Sequence, residues 1–367
     1  MAIPSTGPSP AVPAETNLTV TVFDFSFVDA LHGWALGSAC PDGGECALRV
    51  WATSDGGQSW LKRNAPGTKP AWNGENGQTG HVRQLRFVNR QDGWAFNPGL
   101  FSTHDGGQTW TEEKQQVEIK NITVSAGSAW AIGRQCHPDV VNGCSFSLLV
   151  ANDKFQGWIK AANQPAIPGV ETQLVRTSAQ EAWLLSWGAK ANPSSQDTQE
   201  PFVSTLIATS DGGKSWKELS NPCSPGQGAS TEILSALSGG QLWLICGGIP
   251  GAGNQQKVLF HSLDNGQHWE ALKPEGLGTY GYLQASRESF VFTSPVQGWL
   301  VLDRYTLLST ADGGKNWQPA LDYNRVNPGD RGIGPLYFEG QHGWLGAGPL
   351  IYRTADTGKT WQAVALP

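Results

Sequence analysis

The chain has 367 residues, of which 15% are charged, and a formal net charge of −6 at pH 7. Charge so sparse and mildly acidic argues against a nucleic-acid partner, which needs a concentrated basic surface. No apolar run approaches the ~18 residues of a membrane-spanning helix, and the outstanding feature of the composition is its 17 Trp.

Residues 2–16 (AIPSTGPSPAVPAET) are rich in Pro, Ser and Ala. They read as a flexible tether or the remnant of a trimmed leader, so 1–16 is expected to be a tether and 17–367 a single domain. The first ordered unit then follows. Val20–Phe27 alternates apolar and polar residues and predicts a strand, A. Trp34–Gly37 predicts B, Leu48–Thr53 predicts C, and Trp60 opens D. The next unit repeats these places at Val82–Val88, Trp94–Phe96, Leu100–Thr103 and Trp110. The last holds them at Leu336–Phe338, Trp344–Leu345, Leu350–Thr354 and Trp361–Ala365. No long stretch has a helical period.

An eight-residue box joins C to D in every unit: Thr53–Trp60, Thr103–Trp110, Ala151–Trp158, Thr209–Trp216, Ser262–Trp269, Thr310–Trp317 and Thr354–Trp361. Its acids are Asp55, Asp105, Asp153, Asp211, Asp264, Asp312 and Asp356, spaced by 50, 48, 58, 53, 48 and 44 residues. Repeats of roughly 40–50 residues built from short strands are the mark of β-propeller blades. The expectation is an all-β, seven-bladed β-propeller of four-stranded antiparallel blades with an Asp box in each C–D turn. A second Trp precedes each box, at Trp34, Trp94, Trp130, Trp183, Trp243, Trp299 and Trp344. One ring per blade per series fills the wedges between sheets. The boxed Asp residues are expected to be structural, each accepting backbone N–H bonds of its own turn, because a catalytic site is single whereas these recur around a ring. In the third box Ala151 replaces Ser/Thr and Phe155 replaces Gly. A Phe at positive φ is strained, so a reshaped turn is expected there.

Cys40 and Cys46 bracket the B–C loop of blade 1, and Cys136 and Cys144 the equivalent loop of blade 3. Cys223 and Cys246 remain as a third pair. Three disulfides on this pattern imply an oxidising, extracytoplasmic setting; free buried thiols are the alternative. The seven His are dispersed and there is no CxxC, so no metal site is assigned, and no cofactor or catalytic residue either.

In a four-stranded meander the A–B and C–D turns share one face and the B–C and D–A connections the other. The first face is uniform in sequence. The second is variable, and variable loops on a rigid scaffold are where binding usually resides. The partner-face candidates on it are Trp72, Trp187, Tyr280, Tyr282, Tyr323, Arg325 and Arg331.

The unit of apolar strand, GWA-G and L-x-x-T-x-DGG-x-S/T-W, clearest in Phe27–Gly37, Thr53–Trp60, Phe87–Phe96 and Thr103–Trp110, resembles the photosystem II assembly/stability factor family of bacterial-neuraminidase-repeat propellers. The resemblance spans 17–367. It implies a non-catalytic, extracytoplasmic or lumenal propeller that binds a protein partner, a membrane-protein assembly intermediate; a monomer is expected. The alternative is a carbohydrate-binding or glycoside-hydrolysing protein of the sialidase or xyloglucanase type. Sialidases use six blades and an arginine triad, and Arg83, Arg86, Arg304, Arg325, Arg331 and Arg353 show no such arrangement in sequence. Xyloglucanases resemble two facing propellers, of which this chain has one. Asp24, Asp303 and Asp330 are the acids outside the boxes from which a catalytic pair would be drawn.

Overall fold

The computed structural model describes residues 18–41, 44–67, 82–136, 143–190, 202–223, 230–284, 289–303, 306–322 and 333–367. Among them run seven four-stranded sheets, each a meander in sequence order. Blade 1 is β1 (Leu18–Phe27), β2 (Gly33–Pro41), β3 (Ala47–Thr53) and β4 (Leu61–Arg63); blade 2 is β5 (Gln84–Phe87), β6 (Gly93–Phe96), β7 (Leu100–Thr103) and β8 (Thr111–Glu112). Blade 3 is β9 (Glu118–Ser125), β10 (Ser128–Cys136), β11 (Cys144–Ala151) and β12 (Trp158–Lys160); blade 4 is β13 (Gly169–Arg176), β14 (Ala182–Lys190), β15 (Phe202–Thr209) and β16 (Lys217–Leu219). Blade 5 is β17 (Thr231–Leu237), β18 (Gln241–Gly247), β19 (Lys257–Ser262) and β20 (Glu270–Leu272); blade 6 is β21 (Phe290–Phe292), β22 (Gly298–Leu302), β23 (Thr306–Thr310) and β24 (Gln318–Asp322). Blade 7 is β25 (Ile333–Glu339), β26 (His342–Ala347), β27 (Leu350–Thr354) and β28 (Gln362–Ala365). The fold is an all-β, seven-bladed β-propeller of antiparallel blades. Its residues group into two compact units, Met1–Glu113 with Asp322–Pro367, and Lys114–Leu321. The first holds blades 7, 1 and 2, the second blades 3 to 6.

Strands B are the most apolar, because they are covered on both faces. The burial of β6 (GWAF) and β22 (GWLVL) is complete along their lengths. Strands D are two to five residues long and largely exposed. Short outer strands leave little open ladder for another chain to pair with.

One arrangement recurs where blades meet inside each unit. The strand-B Trp of one blade lies flat on the last Phe of strand A in the next: Trp34 on Phe87 (centroids 3.6 Å, 4°), Trp243 on Phe292 (3.9 Å, 4°), Trp344 on Phe27 (3.5 Å, 14°). The box Trp of that next blade meets the same Phe edge-on, as Trp110 meets Phe87 at 6.2 Å and 80°, and Trp317 meets Phe292 at 6.1 Å and 88°. The strand-B indole N–H then donates to a carbonyl of the neighbouring C–D turn: Trp34 Nε1 to Gly106 O (2.9 Å), Trp243 Nε1 to Gly313 O (3.0 Å), Trp344 Nε1 to Gly56 O (3.0 Å). The seven strand-B rings are all buried, as are Trp60 and Trp317 of the box series. The box rings Trp110, Trp158, Trp216, Trp269 and Trp361 are only half-buried.

Strands β1 and β28 stay in separate sheets, so blades 1 and 7 join by packing rather than by strand exchange. Besides the Trp344–Phe27 stack, Tyr337 Oη donates to Phe27 O (3.1 Å) and Trp51 Nε1 to Pro367 O (3.1 Å). The inner edge of strand A is satisfied by side chains of the preceding blade. Asp24 Oδ2 accepts from Leu85 N (2.7 Å), Ser26 Oγ from Phe87 N (2.8 Å) and Ser235 Oγ from Phe292 N (2.8 Å), and Gln173 takes both Leu234 N and Leu234 O.

Candidate functional site

The Asp-centred turns have their hydrogen-bonding capacity filled from within. In blade 4, Asp211 Oδ1 accepts from Thr209 Oγ1 (2.8 Å) and Ser215 N (2.9 Å), Oδ2 accepts from Ser215 Oγ (2.6 Å), and Gly213 N donates to Thr209 Oγ1 (2.9 Å). The Ser215 hydroxyl, the Ser215 amide and the Thr209 hydroxyl together hold this carboxyl down to about 2. Asp55, Asp105, Asp264, Asp312 and Asp356 sit in the same set of bonds. Each turn is tied to the A–B turn of its own blade, as by Gly56 N to Leu31 O (2.9 Å) and Gly313 N to Val296 O (2.9 Å). These acids are engaged as acceptors on a rigid rim. Blade 3 departs as its sequence suggested. Phe155 takes φ 55°, and the turn amides of Lys154 (3.1 Å) and Gln156 (3.0 Å) bond to Asn152 Oδ1. The acceptor there is Asn152 and not Asp153, because the Ser/Thr that would orient the acid is Ala151.

Three disulfides close: Cys40–Cys46, Cys136–Cys144 and Cys223–Cys246. The first two clip B–C hairpins, Cys136 and Cys144 being direct register partners. The third ties the blade 4–5 connection to strand β18. Beside it lies Glu232, fully buried and paired in register with Cys246. Its Oε2 accepts from Asn221 Nδ2 (3.1 Å), which also donates to Ser204 Oγ (2.6 Å). Burial pushes this carboxyl up to about 7, against the hydrogen bonds of Ser204 and Asn221.

Of the partner-face candidates, Trp72, Tyr323, Arg325 and Arg331 lie outside the described residues. Trp187 is buried within its blade and is not part of an exposed loop surface, which corrects the expectation that it lies on a loop. Strand β14 continues to Lys190, so Trp187 stands in a strand and not in a loop. It shares the inward face of Trp183 and Leu185 by the two-residue period and is 3% exposed among Leu206, Cys223 and Leu234.

Tyr280 and Tyr282 are brought together with residues that sequence reasoning passed over. The B–C loop of blade 5 (248–256) and the connection from blade 5 to blade 6 (273–284) interlock. Asn254 bridges Tyr280. Gln255 N donates to Thr279 O (2.8 Å), Gly281 N to Gly253 O (3.1 Å) and Gly253 N to Tyr282 Oη (2.7 Å). Gln255, itself 2% exposed, accepts at Oε1 from Leu283 N (2.7 Å). Asp303 Oδ1 accepts from Tyr282 N. Under the pair sits the buried Lys257, whose Nζ donates to Gly281 O (2.7 Å), Tyr280 O (3.1 Å), Thr279 O (3.2 Å) and Gln255 O (3.2 Å). Burial pulls this amine down to about 8, and the Asp303 charge opposes the shift. Out of this braced double loop stand Ile249, 77% exposed, and Tyr280, 58% exposed. The glycine-rich run GGIPGAGN signalled a tight loop, but nothing in the sequence marked Lys257 or Gln255.

The acids and arginines from which a glycosidase would be built are otherwise occupied where they are described. Asp24 and Arg86 form a buried pair (2.5 Å), Asp303 holds the Tyr282 amide, Arg83 lies 5.5 Å over the Phe23 ring, and Arg353 Nη2 donates to Gln362 Oε1 (2.9 Å). Arg304, Arg325, Arg331 and Asp330 are outside the described residues. Among the described residues no group of three or more His, Cys, Asp or Glu could hold a metal ion, and no helix is long and apolar enough to cross a membrane.

Residues 283–367 match the family described as Photosynthesis system II assembly factor YCF48. Over 328 residues, 89% of this chain and 79% of the relative, the sequence is 25% identical to Photosystem II assembly protein Ycf48 of Thermosynechococcus vestitus. The fold is similar to the solved structure of YCF48 bound to D1 peptide, with TM-score 0.57 and 21% identity over 96% of this chain and 99% of that one. It is similar to a comparable degree to the GH74 xyloglucanase from Xanthomonas campestris, with TM-score 0.56 and 14% identity over 92% of this chain and 52% of the enzyme. The fold therefore does not by itself separate a binding propeller from a hydrolase; the sequence likeness bears on that choice.

Proposed function

From its likeness in sequence to the photosystem II assembly-factor family, and from the seven-bladed fold it shares with that family, we propose that this chain is a non-catalytic protein-binding propeller. It acts as an assembly factor for a membrane-protein complex and captures a peptide segment of that complex on its B–C/D–A loop face. The observation that carries this reading is the match to the Thermosynechococcus vestitus relative over 89% of the chain. The engagement of Asp24 and Asp303 in structural bonds supports it over the glycosidase alternative. Three disulfides support an extracytoplasmic site of action, since such bonds persist in oxidising compartments. In this reading the protein acts as a monomer with 17–367 as its working domain; residues 1–16 lie outside the described residues.

On the loop face the contact residue among those described is Tyr280, an exposed ring on a braced loop and so of low entropic cost to order. The test is fluorescence anisotropy with a labelled D1 peptide, alongside co-purification from native membranes. Saturable binding is expected, weakened roughly tenfold or more by Tyr280→Ala, which corresponds to a loss above about 1.4 kcal/mol. A protein that shows no saturable binding of the peptide and recovers no membrane protein overturns the assignment.

A further inference from the structure

Among the described residues the four acceptors of Lys257 Nζ are backbone carbonyls, and the Asp303 carboxylate is the negative charge that acts on it. Three of them, Thr279 O, Tyr280 O and Gly281 O, are consecutive, at 3.2, 3.1 and 2.7 Å, and the fourth, Gln255 O at 3.2 Å, belongs to the other loop. Three successive carbonyls pointing at one centre repel one another, and the hydrogen bonds that brace the two loops do not offset that repulsion at its focus. The Lys257 ammonium sits at that focus and offsets it. An ammonium brings three N–H donors, and in a buried site such charge-assisted bonds are stronger than neutral ones. Glycine at 278 and 281, both at positive φ (57° and 75°), supplies the backbone freedom but not the attraction.

We infer that Lys257 is a positioning residue for the recognition loop: its ammonium is a tethered cation around which residues 279–281 fold, and it thereby fixes how Tyr280 is presented to the bound peptide. The inference about peptide presentation rests on the proposed function; the inference about the loop does not. A lysine in this role leaves a definite signature. Lys257→Ala deletes three methylenes and the ammonium, which is the shape of n-propylammonium, and the vacated site is a ring of carbonyls selective for such a cation.

The experiment is hydrogen exchange of the Gln255, Gly281 and Leu283 amides in the full chain, for Lys257→Met and Lys257→Ala, with and without added n-propylammonium chloride. Both variants are expected to lose about tenfold or more of local protection while the core strands of blade 5 keep theirs. In Lys257→Ala, n-propylammonium restores it, and n-propanol at equal concentration does not. Undiminished protection in Lys257→Met, or equal rescue by the alcohol, overturns the cation role. Labelled D1 peptide is titrated into the same samples. An affinity that falls and is rescued in step with protection supports the link to recognition. An affinity that stays unchanged while the loop loosens overturns that link and leaves peptide binding standing. Wild-type protein that binds no peptide counts against the functional assignment alone, since the exchange measurements still decide the clamp.

Discussion

Glu232 is buried between the blade 4–5 connection and strand β18, and its charge is costly there. Its carboxyl stands at about 7 in the folded chain against an ordinary 4.5. The folded state therefore holds a proton that the unfolded chain releases, and stability rises as pH falls from about 7 towards 4.5. Well above pH 7 the cost is fully present, on the order of 3 kcal/mol. Urea titrations at pH 8 and pH 5 are expected to show the protein more stable at pH 5 by that order, and Glu232→Gln is expected to remove this contribution and to gain stability at pH 8. Equal pH dependence in the variant would show that Glu232 titrates normally. At the same scale, the pairs that close each A–B turn trade volume between partners. Phe27 faces Gly33, Phe87 Gly93, Phe292 Gly298 and Phe338 Gly343, and a Cβ on any of these glycines would fall within the ring opposite. Where the large ring is absent the small residue grows: Arg176 faces Ala182, and Ala236 faces Leu242. Arg176 keeps the contact by another interaction, lying 4.1 Å over the Trp130 ring.

At the scale of elements, the C–D turn is a unit whose acceptor can be read from hydrogen bonds but not from alignment of the box. Asp211→Ala leaves two hydroxyls and the Ser215 amide without their acceptor, and is expected to cost about 1–2 kcal/mol. In blade 3 the effect moves by one residue. Asn152→Ala is expected to cost about as much, and Asp153→Ala to fall within about 0.5 kcal/mol of wild type. Thermal or urea unfolding of the three variants checks this, and a large loss in Asp153→Ala alone would restore the box register. The misplacement of Trp187 has a similar origin. Its alternation with Trp183 and Leu185 was legible, but the polar run that follows masked the end of the strand. Strand ends are set by how far the neighbouring β15 can still pair, which is a property of two segments and not of one.

For the whole molecule, the three disulfides differ in how much chain they constrain. Cys223–Cys246 closes 23 residues and the hairpin clips close 6 and 8. Loop-closure entropy grows with the length closed. Replacing Cys223 and Cys246 together by Ala is expected to lower the unfolding free energy by about 3 kcal/mol, measured by urea denaturation. The same change at Cys136 and Cys144 is expected to cost less, and a greater loss there would contradict the ordering. Joining blade 7 to blade 1 follows from local repetition as well: the Trp344–Phe27 stack is the same contact as Trp34–Phe87, made by residues at opposite ends of the chain.

What the sequence determined by itself is the repeated part: seven blades, the strand-B rings at their junctions and the Asp-centred turns. Each of these is fixed by short-range spacing, and a pattern written seven times is legible because its errors do not repeat. What only the tertiary structure decided is the singular part: Glu232 beside its disulfide, Asp24 against Arg86, and Lys257 beneath two loops. These contacts join segments far apart in the chain, and the charge, burial and carbonyl geometry that give them their roles arise only when those segments meet.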